Sequence, residues 1–260
     1  MGVEALIEAE PSIDQVAEIA RVALEERSPG KSFPNYMDAI ERSLETSPPS
    51  FGTKEYDSVF REISSDPEWM ARSLIVNSER EGDGATRLWS MSACATNERE
   101  KALLKRHAVD ESGHSLGYLR LLDLVFPGAV SAEFREELNQ LSPHYSMTQE
   151  PAPVDGSPYA RTPRMDDYIQ MNIAEIRTTI HHIMQRRALA QFCPEENLGQ
   201  MRRILDYLMR DELSHVAYTG ELIEELAEER GQDHLVERFD KRMSDFNDIT
   251  RRELGQKVFD

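Results

Sequence analysis

Cysteine is scarce in this sequence of 260 residues, which contains only Cys94 and Cys193. Two thiols cannot by themselves hold an iron–sulfur cluster or a four-cysteine zinc site. In a reducing compartment we expect both to be free thiols. The sequence therefore excludes a metal site built from thiolates alone.

Long apolar runs are also lacking, and no segment approaches the roughly 20 apolar residues of a membrane span. The first ten residues contain three glutamates and no basic residue, which is unlike a signal peptide. The net charge of −18 disfavours binding to a nucleic acid or to an anionic membrane. We therefore expect a cytoplasmic protein that binds neither.

One short pattern is present twice. Asp-Glu-x-x-His occurs as residues 110–114 and again as residues 211–215. Residues three apart on an α-helix share a face, so the glutamate and the histidine of each copy point the same way. A carboxylate and an imidazole on one face can bind one metal ion together, and two such helices facing each other can hold two ions. Each copy then requires a lone glutamate on a partner helix.

Four long stretches have the apolar periodicity and the end signals of α-helices. They run from Asp66-Pro67 to about Ala93, from near Asn97 to about Val125, from Asp166 or Asp167 to about Phe192, and from about Glu195 to Arg230. Between the second and third stretches, residues 142–164 contain five prolines and little periodicity. A loop of this length is typical of a functional or disordered segment, or of the long crossover in a helical bundle.

Shorter helices are expected around these four. They run from a capping-box pattern at Ser12 and Gln15 to about residue 28, from Pro34 to about Glu45, from Ser131 to about Leu141, and from about Asp233 to Gln256. We expect N-terminal accessory helices in residues 1–65, a bundle in 66–230, and a peripheral charged helix in 231–260.

The lone glutamates can be chosen by their distance from the helix turns. Glu81 lies about 13 residues before its turn and Glu111 about 13 after it, which places both roughly 20 Å from the turn. Glu175 and Glu212 are each about 17 residues from theirs. His182 is the rival of Glu175, but it would lie roughly 9 Å off the level of Glu212. We therefore prefer Glu175.

With these residues in place, residues 66–230 resemble the ferritin-like diiron carboxylate superfamily. The doubled motif is most similar to its oxygen-activating branch, which includes bacterial multicomponent monooxygenases, ribonucleotide reductase small subunits, acyl-carrier-protein desaturases and aryl-amine N-oxygenases. The resemblance implies an all-α protein, in which a four-helix bundle with a di-metal core carries N-terminal and C-terminal accessory helices. It implies as metal ligands Glu81, Glu111, His114, Glu175, Glu212 and His215.

The resemblance also assigns roles to neighbouring residues. Asp110 and Asp211 are expected to accept a hydrogen bond from a ligand histidine, because ligand histidines usually donate their second N–H to a carboxylate. His107 is either a seventh ligand, as in the N-oxygenases, or a buried histidine near the ligands. In the N-oxygenases, however, the extra histidine precedes the second motif. His182 either approaches the metals or is a buried hydrogen-bonding histidine.

Two features leave alternatives open. Glu81 stands in a segment with two glycines that resembles a turn, so we expect either a kinked or π-bulged helix there or a loop. Tyr118 and Thr219 each follow a motif histidine by four residues. They either line an oxygen or substrate pocket or belong to the packed core.

Carboxylates and imidazoles without thiolates favour iron or manganese over structural zinc. We expect two Fe ions, with a mixed Mn/Fe pair as the alternative. The resemblance implies an O₂-dependent, monooxygenase-type oxidoreductase that oxidises a small organic substrate by hydroxylation, N-oxygenation or desaturation. The sequence has no flavin or iron–sulfur motif, so an external electron donor is needed, either a ferredoxin or a reductase. We expect a monomer or a homodimer.

Two other functions compete with this one. The first is a ferritin-like protein that stores iron or scavenges peroxide. The extra N-terminal residues, the proline-rich crossover and the lack of a Cys₄ site disfavour it. The second is a helical bundle that only binds a partner and whose motifs are surface charge.

Overall fold

The computed structural model describes residues 2–8, 12–230 and 234–254, and within them the protein is all-helical, with ten α-helices and no strand. The helices are α1 (Val3–Glu8), α2 (Asp14–Arg27), α3 (Pro34–Thr46), α4 (Lys54–Ile63), α5 (Pro67–Cys94), α6 (Glu98–Val125), α7 (Ala132–Leu138), α8 (Met165–Phe192), α9 (Leu198–Arg230) and α10 (Leu235–Leu254). None of the described helices has both the length and the apolar character that a membrane span requires.

The described residues form two compact units. The first unit comprises those within Met1–Ile63, Arg164–Gln185 and Met209–Asp260, and the second comprises Ser64–Pro163 and Arg186–Leu208. The sequence signals for the long helices are satisfied in detail. Asp66 accepts a hydrogen bond from the backbone N–H of Glu68 at 2.9 Å, and Asn97 caps α6 by accepting from two backbone N–H groups.

In the second unit, α5 and α6 pack against each other along their length. The Ser92 hydroxyl donates to the Lys101 carbonyl at 2.9 Å, near the turn. Farther along, the Ser78 and Ser115 hydroxyls lie 3.0 Å apart. Both contacts fit one antiparallel register, since Ser78 precedes Ser92 by the same number of residues as Ser115 follows Lys101. In this register Glu81 of α5 lies level with Ser112 of the α6 motif, because Glu81 follows Ser78 by three residues and Ser112 precedes Ser115 by three.

The segment around Glu81 is regular α-helix, without a π-bulge or a loop. The expectation of a π-bulge or a loop there is wrong, because the glycines have a different purpose. A Cβ on Gly82 would lie 1.9 Å from the Leu141 carbonyl oxygen, and a Cβ on Gly84 would lie 3.3 Å from Glu111 Oε2. Each glycine therefore makes room for a close neighbour from another part of the chain.

The proline-rich crossover, residues 142–164, packs on α5 and α6 through specific contacts. The Ser142 hydroxyl donates to the Ser112 carbonyl at 2.8 Å, and the Ser112 hydroxyl accepts from the backbone N–H of Tyr145 at 3.0 Å. The Tyr145 ring stacks on Trp89 with centroids 4.2 Å apart. Ser112 is the first of the two unspecified positions in the first Asp-Glu-x-x-His motif, so the crossover lies directly against that motif.

In the first unit, the N-terminal segment is attached to α9 by two buried carboxylates. Glu224 accepts from the backbone N–H of Tyr36 at 2.7 Å and from the Asn35 side-chain amide at 2.6 Å. Glu221 accepts from the Ser28 hydroxyl at 2.5 Å and from Arg27 at 3.3 Å. A carboxylate at the first turn of α3 is favourable because the N-terminal end of a helix carries unsatisfied N–H groups and positive potential.

Three details of the smaller helices differ from expectation. Helices α1 and α4 were not predicted. The sequence signal for α4 is weak because the helix is short and follows a loop rich in proline and glycine. In the structure it buries Tyr56 and Phe60. The expected capping box at Ser12 is wrong, because α2 begins at Asp14 and the Gln15 amide instead donates to the Leu6 carbonyl at 3.4 Å.

The helix at the C-terminal end packs against α3, with the Phe239 ring edge-on to Tyr36 at 6.1 Å. Its expected limits, Asp233 and Gln256, lie outside the described residues.

The predicted helix after α6 ends three residues early and continues as a 3₁₀ turn at Asn139–Leu141.

We predict that Gly82→Ala destabilises the protein, because the new methyl group would overlap the backbone oxygen of Leu141 rather than a movable side chain. The expected loss is about 1–3 kcal/mol or more of unfolding free energy in a urea titration. Gly117→Ala is the matched control in the neighbouring helix. Its Cβ would lie 3.5 Å from Leu208, which is ordinary contact, and alanine favours a helix by about 1 kcal/mol. Equal effects of the two changes would contradict the explanation.

Candidate metal centre

Helix α6 presents three buried polar side chains on one face at intervals of four and three residues. His107, Glu111 and His114 are 1%, 5% and 0% exposed, respectively. His107 Nε2 lies 3.3 Å from Glu111 Oε1, and His114 Nδ1 lies 3.4 Å from the same oxygen. Two imidazole nitrogens therefore converge on one buried carboxylate oxygen. Glu81 of α5 is half-buried at the same level.

Helices α8 and α9 supply a similar set in the first unit. Glu212 is 0% exposed, His182 0%, His215 2% and Glu175 8%. His215 Nδ1 lies 3.3 Å from Glu212 Oε2, and His182 Nε2 lies 3.5 Å from Glu212 Oε1. As in the first motif, two histidines approach the motif glutamate, and one of them follows it by three residues. Here they approach different oxygens of Glu212, and the second histidine comes from α8.

Two groups of four side chains bring their potential ligand atoms together, with all atoms of a group within 4.8 Å of one another. One group contains His107, Glu111, Glu175 and His215, and the other contains Glu81, Glu111, His114 and Glu212. Nitrogen and oxygen ligands lie about 2.0–2.2 Å from a transition-metal ion, so ligands on opposite sides of one ion are roughly 4 Å apart. The spacing in both groups therefore matches the size of a metal ion.

The chemistry of the donors fits a metal as well as their spacing does. Buried carboxylates and imidazoles at such short range are costly unless a cation or a proton compensates them. Glu111 belongs to both groups, and a shared carboxylate is the usual means of holding two cations close together. These buried His/Glu groups could thus hold metal ions.

The six predicted ligands all occur in these two groups, and His107 joins them as a seventh member. Among the described residues, His182 is in neither group, although it lies close to Glu212. The ligand assignment itself stays a prediction that metal binding must test.

Asp110 and Asp211, which precede the motif glutamates, are both on the helices that carry the motifs. Both Asp110 oxygens accept from Arg106 Nε, at 2.9 and 3.0 Å. Asp211 is half-buried. Their expected hydrogen bonds to ligand histidines stay predictions.

The side chains four residues after each motif histidine have different environments. Tyr118 is 2% exposed and belongs to the packed interior. The Thr219 hydroxyl donates to the His215 carbonyl at 2.7 Å, so it is engaged with the backbone turn that carries His215. Both cysteines are free thiols. Neither of them joins a potential metal-binding group within the described part of the chain.

Tyr207 was not anticipated from the sequence. It lies on α9, 43% exposed, with its ring edge-on to His114 at a centroid distance of 5.9 Å. A Cβ on Gly113 would lie 3.6 Å from the Tyr207 hydroxyl oxygen. The glycine inside the first motif was the available signal, since a glycine within a helix often marks a close approach.

No family model, curated protein or solved structure matches this chain. What the residues define is an all-helical protein with buried His/Glu groups suited to a metal. A functional assignment therefore depends on those groups.

We predict that Glu111→Gln weakens the binding of both metal ions, whereas Glu81→Gln weakens mainly one, because only Glu111 belongs to both groups. Loss of a direct ligand should lower the metal affinity by more than the roughly 10–100-fold expected for loss of a residue that hydrogen-bonds to a ligand. Titration with Co(II), followed by absorbance, measures both steps. Glu79→Gln is the control, since Glu79 is exposed on the same helix. Tight binding of two ions by Glu111→Gln would contradict the shared role.

We also predict that Glu175→Ala lowers the metal content more than His182→Ala does, because Glu175 belongs to one of the four-residue groups. Metal analysis after reconstitution and desalting tests this comparison. The assignment is reversed if His182→Ala loses metal while Glu175→Ala retains it.

Proposed function

We propose that this protein is a non-haem diiron oxidoreductase of the ferritin-like type, which activates O₂ to oxidise a small organic substrate. The observation that carries the proposal is the pair of buried four-residue groups joined through Glu111. In the proposed architecture α5, α6, α8 and α9 form a four-helix bundle around two metal ions. Each Glu-x-x-His motif is then matched by one glutamate from a partner helix, as in ferritin-like di-metal proteins.

The charge of the donor set supports two divalent ions. Four carboxylates contribute four negative charges, which two such ions would balance, while neutral imidazoles complete the coordination. The carboxylates are Glu81, Glu111, Glu175 and Glu212. Oxygen and imidazole donors without thiolate suit iron or manganese, so two Fe ions are proposed, with a Mn/Fe pair as the alternative.

The two irons would supply the redox chemistry with O₂, and the chain would supply the ligands, their burial and the exclusion of water. The crossover covers Ser112, inside the first motif, through the hydrogen bond from Ser142. The Leu141 carbonyl fills the space above Gly82, which follows Glu81 in α5.

The electrons for this reaction must come from outside the chain, because its sequence contains no flavin or iron–sulfur motif. We propose an external ferredoxin or reductase as the donor. The strongly acidic composition makes a nucleic acid or an anionic membrane an unfavourable partner. Hydroxylation, N-oxygenation and desaturation are the candidate reactions.

We predict that anaerobic addition of Fe(II) saturates near two ions per chain, in a monomer or dimer, as expected for a six- or seven-ligand site. Exposure to O₂ should then change the absorbance in a single turnover, and a reductant should restore the starting state. Glu111→Gln is the negative control for both steps.

The same titration separates the alternatives. An iron-storage protein would continue to take up ferric iron to tens of ions per chain in a large hollow assembly. A bundle that only binds a partner would take up none. Either result would refute the oxidoreductase assignment.

A further inference from the structure

We propose that Tyr36, far from the motifs in sequence, is a positioning residue for the metal centre and acts through Asn172. The inference rests on the proposed metal site and deepens it. It gives the N-terminal segment a defined task, which is to fix the relative placement of the two helix turns that carry Glu175 and His215.

Asn172 links the two ligand-bearing turns directly. It is 0% exposed and lies one helical turn before Glu175 on α8. Its side-chain amide donates to the Val216 carbonyl at 3.0 Å and to the Thr219 hydroxyl at 3.0 Å. Val216 follows His215 in the sequence, so this amide ties the Glu175 turn of α8 to the His215 turn of α9.

The connection continues to the carbonyl of the ligand histidine. The Thr219 hydroxyl, which accepts from Asn172, donates to the His215 carbonyl at 2.7 Å. The threonine is thus both acceptor and donor in one chain of buried hydrogen bonds. A shift of Asn172 would be transmitted to the backbone turn that carries the His215 imidazole.

Tyr36 fixes the orientation of the Asn172 side chain. Its hydroxyl donates to Asn172 Oδ1 at 2.8 Å. Both N–H bonds of the Asn172 amide are already used, so a rotated amide would turn its oxygen toward the Val216 carbonyl oxygen, which repels it. Burial raises the pKa of the Tyr36 phenol well above its ordinary range, and the Asn172 hydrogen bond only partly opposes this rise. The phenol therefore stays a donor at any pH at which the protein functions.

The ring and backbone of Tyr36 are themselves held in place. The ring lies against Gly220, where an added Cβ would come within 3.0 Å of the ring atoms Cε1 and Cζ. The Phe239 ring contacts it edge-on, and the backbone N–H donates to Glu224 at 2.7 Å. A tyrosine fixed on several sides can hold Asn172 in place, whereas a mobile one could not.

Removal of the Tyr36 oxygen leaves the packing of its ring intact but deprives Asn172 Oδ1 of its donor in a buried site. Such an unsatisfied polar atom is costly, and the side chain or its helix moves to relieve the cost. Tyr36→Phe should therefore lower metal affinity by about tenfold or more, the size expected for loss of a partner that orients ligands. The Co(II) absorption spectrum should shift as well, because it reports the geometry of the ligands.

The experiment is a Co(II) titration of the full chain, with Tyr56→Phe as the matched control. Tyr56 is also a buried tyrosine of the N-terminal segment, and its hydroxyl contacts His181 on α8. Tyr36→Phe and Tyr56→Phe remove the same atom, so any general loosening of the segment affects both. We expect only Tyr36→Phe to change the affinity and the Co(II) spectrum. Thermal unfolding of the metal-free proteins verifies that both variants are folded.

Asn172→Leu provides an independent test. If Tyr36 acts through Asn172, the Tyr36→Phe/Asn172→Leu double variant binds Co(II) no more weakly than Asn172→Leu alone. Additive losses in the double variant would overturn the inference, as would wild-type affinity and spectrum in Tyr36→Phe, or equal losses in the two tyrosine variants.

These outcomes are distinct from failure of the proposed reaction. If Tyr36→Phe weakens Co(II) binding but the iron-loaded wild-type protein does not react with O₂, the oxidoreductase assignment fails and the positioning role stands. If the wild-type protein binds no Co(II) at all, both are refuted.

Discussion

The burial of several carboxylates in a helical interior is the constraint on which the rest of this structure depends. Glu111, Glu175 and Glu212 are each at most 8% exposed. Carboxylates removed from water repel one another and resist ionisation unless cations or protons compensate them. Packing elsewhere must therefore hold the helices in place. In the second unit the α5–α6 pair and the crossover do so, and in the first unit the N-terminal segment is bound by Glu221 and Glu224.

Much of the helical framework could be predicted from the sequence because its signals are local. Asp66-Pro67 and Asn97 act on the N–H groups of the next turn, and the apolar stripe of each long helix is visible within a short window. The segment containing Gly82 could not be predicted in this way. Its glycines resemble a turn locally, but the residue that explains Gly82, Leu141, lies almost sixty positions away. The helix and its glycines are reconciled only by that distant contact.

In the candidate site, too, local signals could be predicted from the sequence and distant contacts could not. A common helix face brings Glu111 and His114 together, and counting from a turn places Glu81 beside them. The sequence left the role of His107 open. A histidine four residues before a glutamate lies on the same helix face, but this spacing alone does not show whether it binds the metal or only lies near it. The Tyr36–Asn172 hydrogen bond could not be anticipated, because it joins residues 136 positions apart and neither belongs to a recognisable motif.

The attachment of the N-terminal segment to Glu224 has a consequence for synthesis of the chain. Asn35 leaves the ribosome 189 residues before the glutamate that accepts its hydrogen bonds. At about 5–20 residues per second, this delay is roughly 10 to 40 s. During that time Asn35 and Tyr36 lack the carboxylate that accepts their hydrogen bonds. This segment is thus made well before the partner that fixes it, and its final attachment waits for the synthesis of α9.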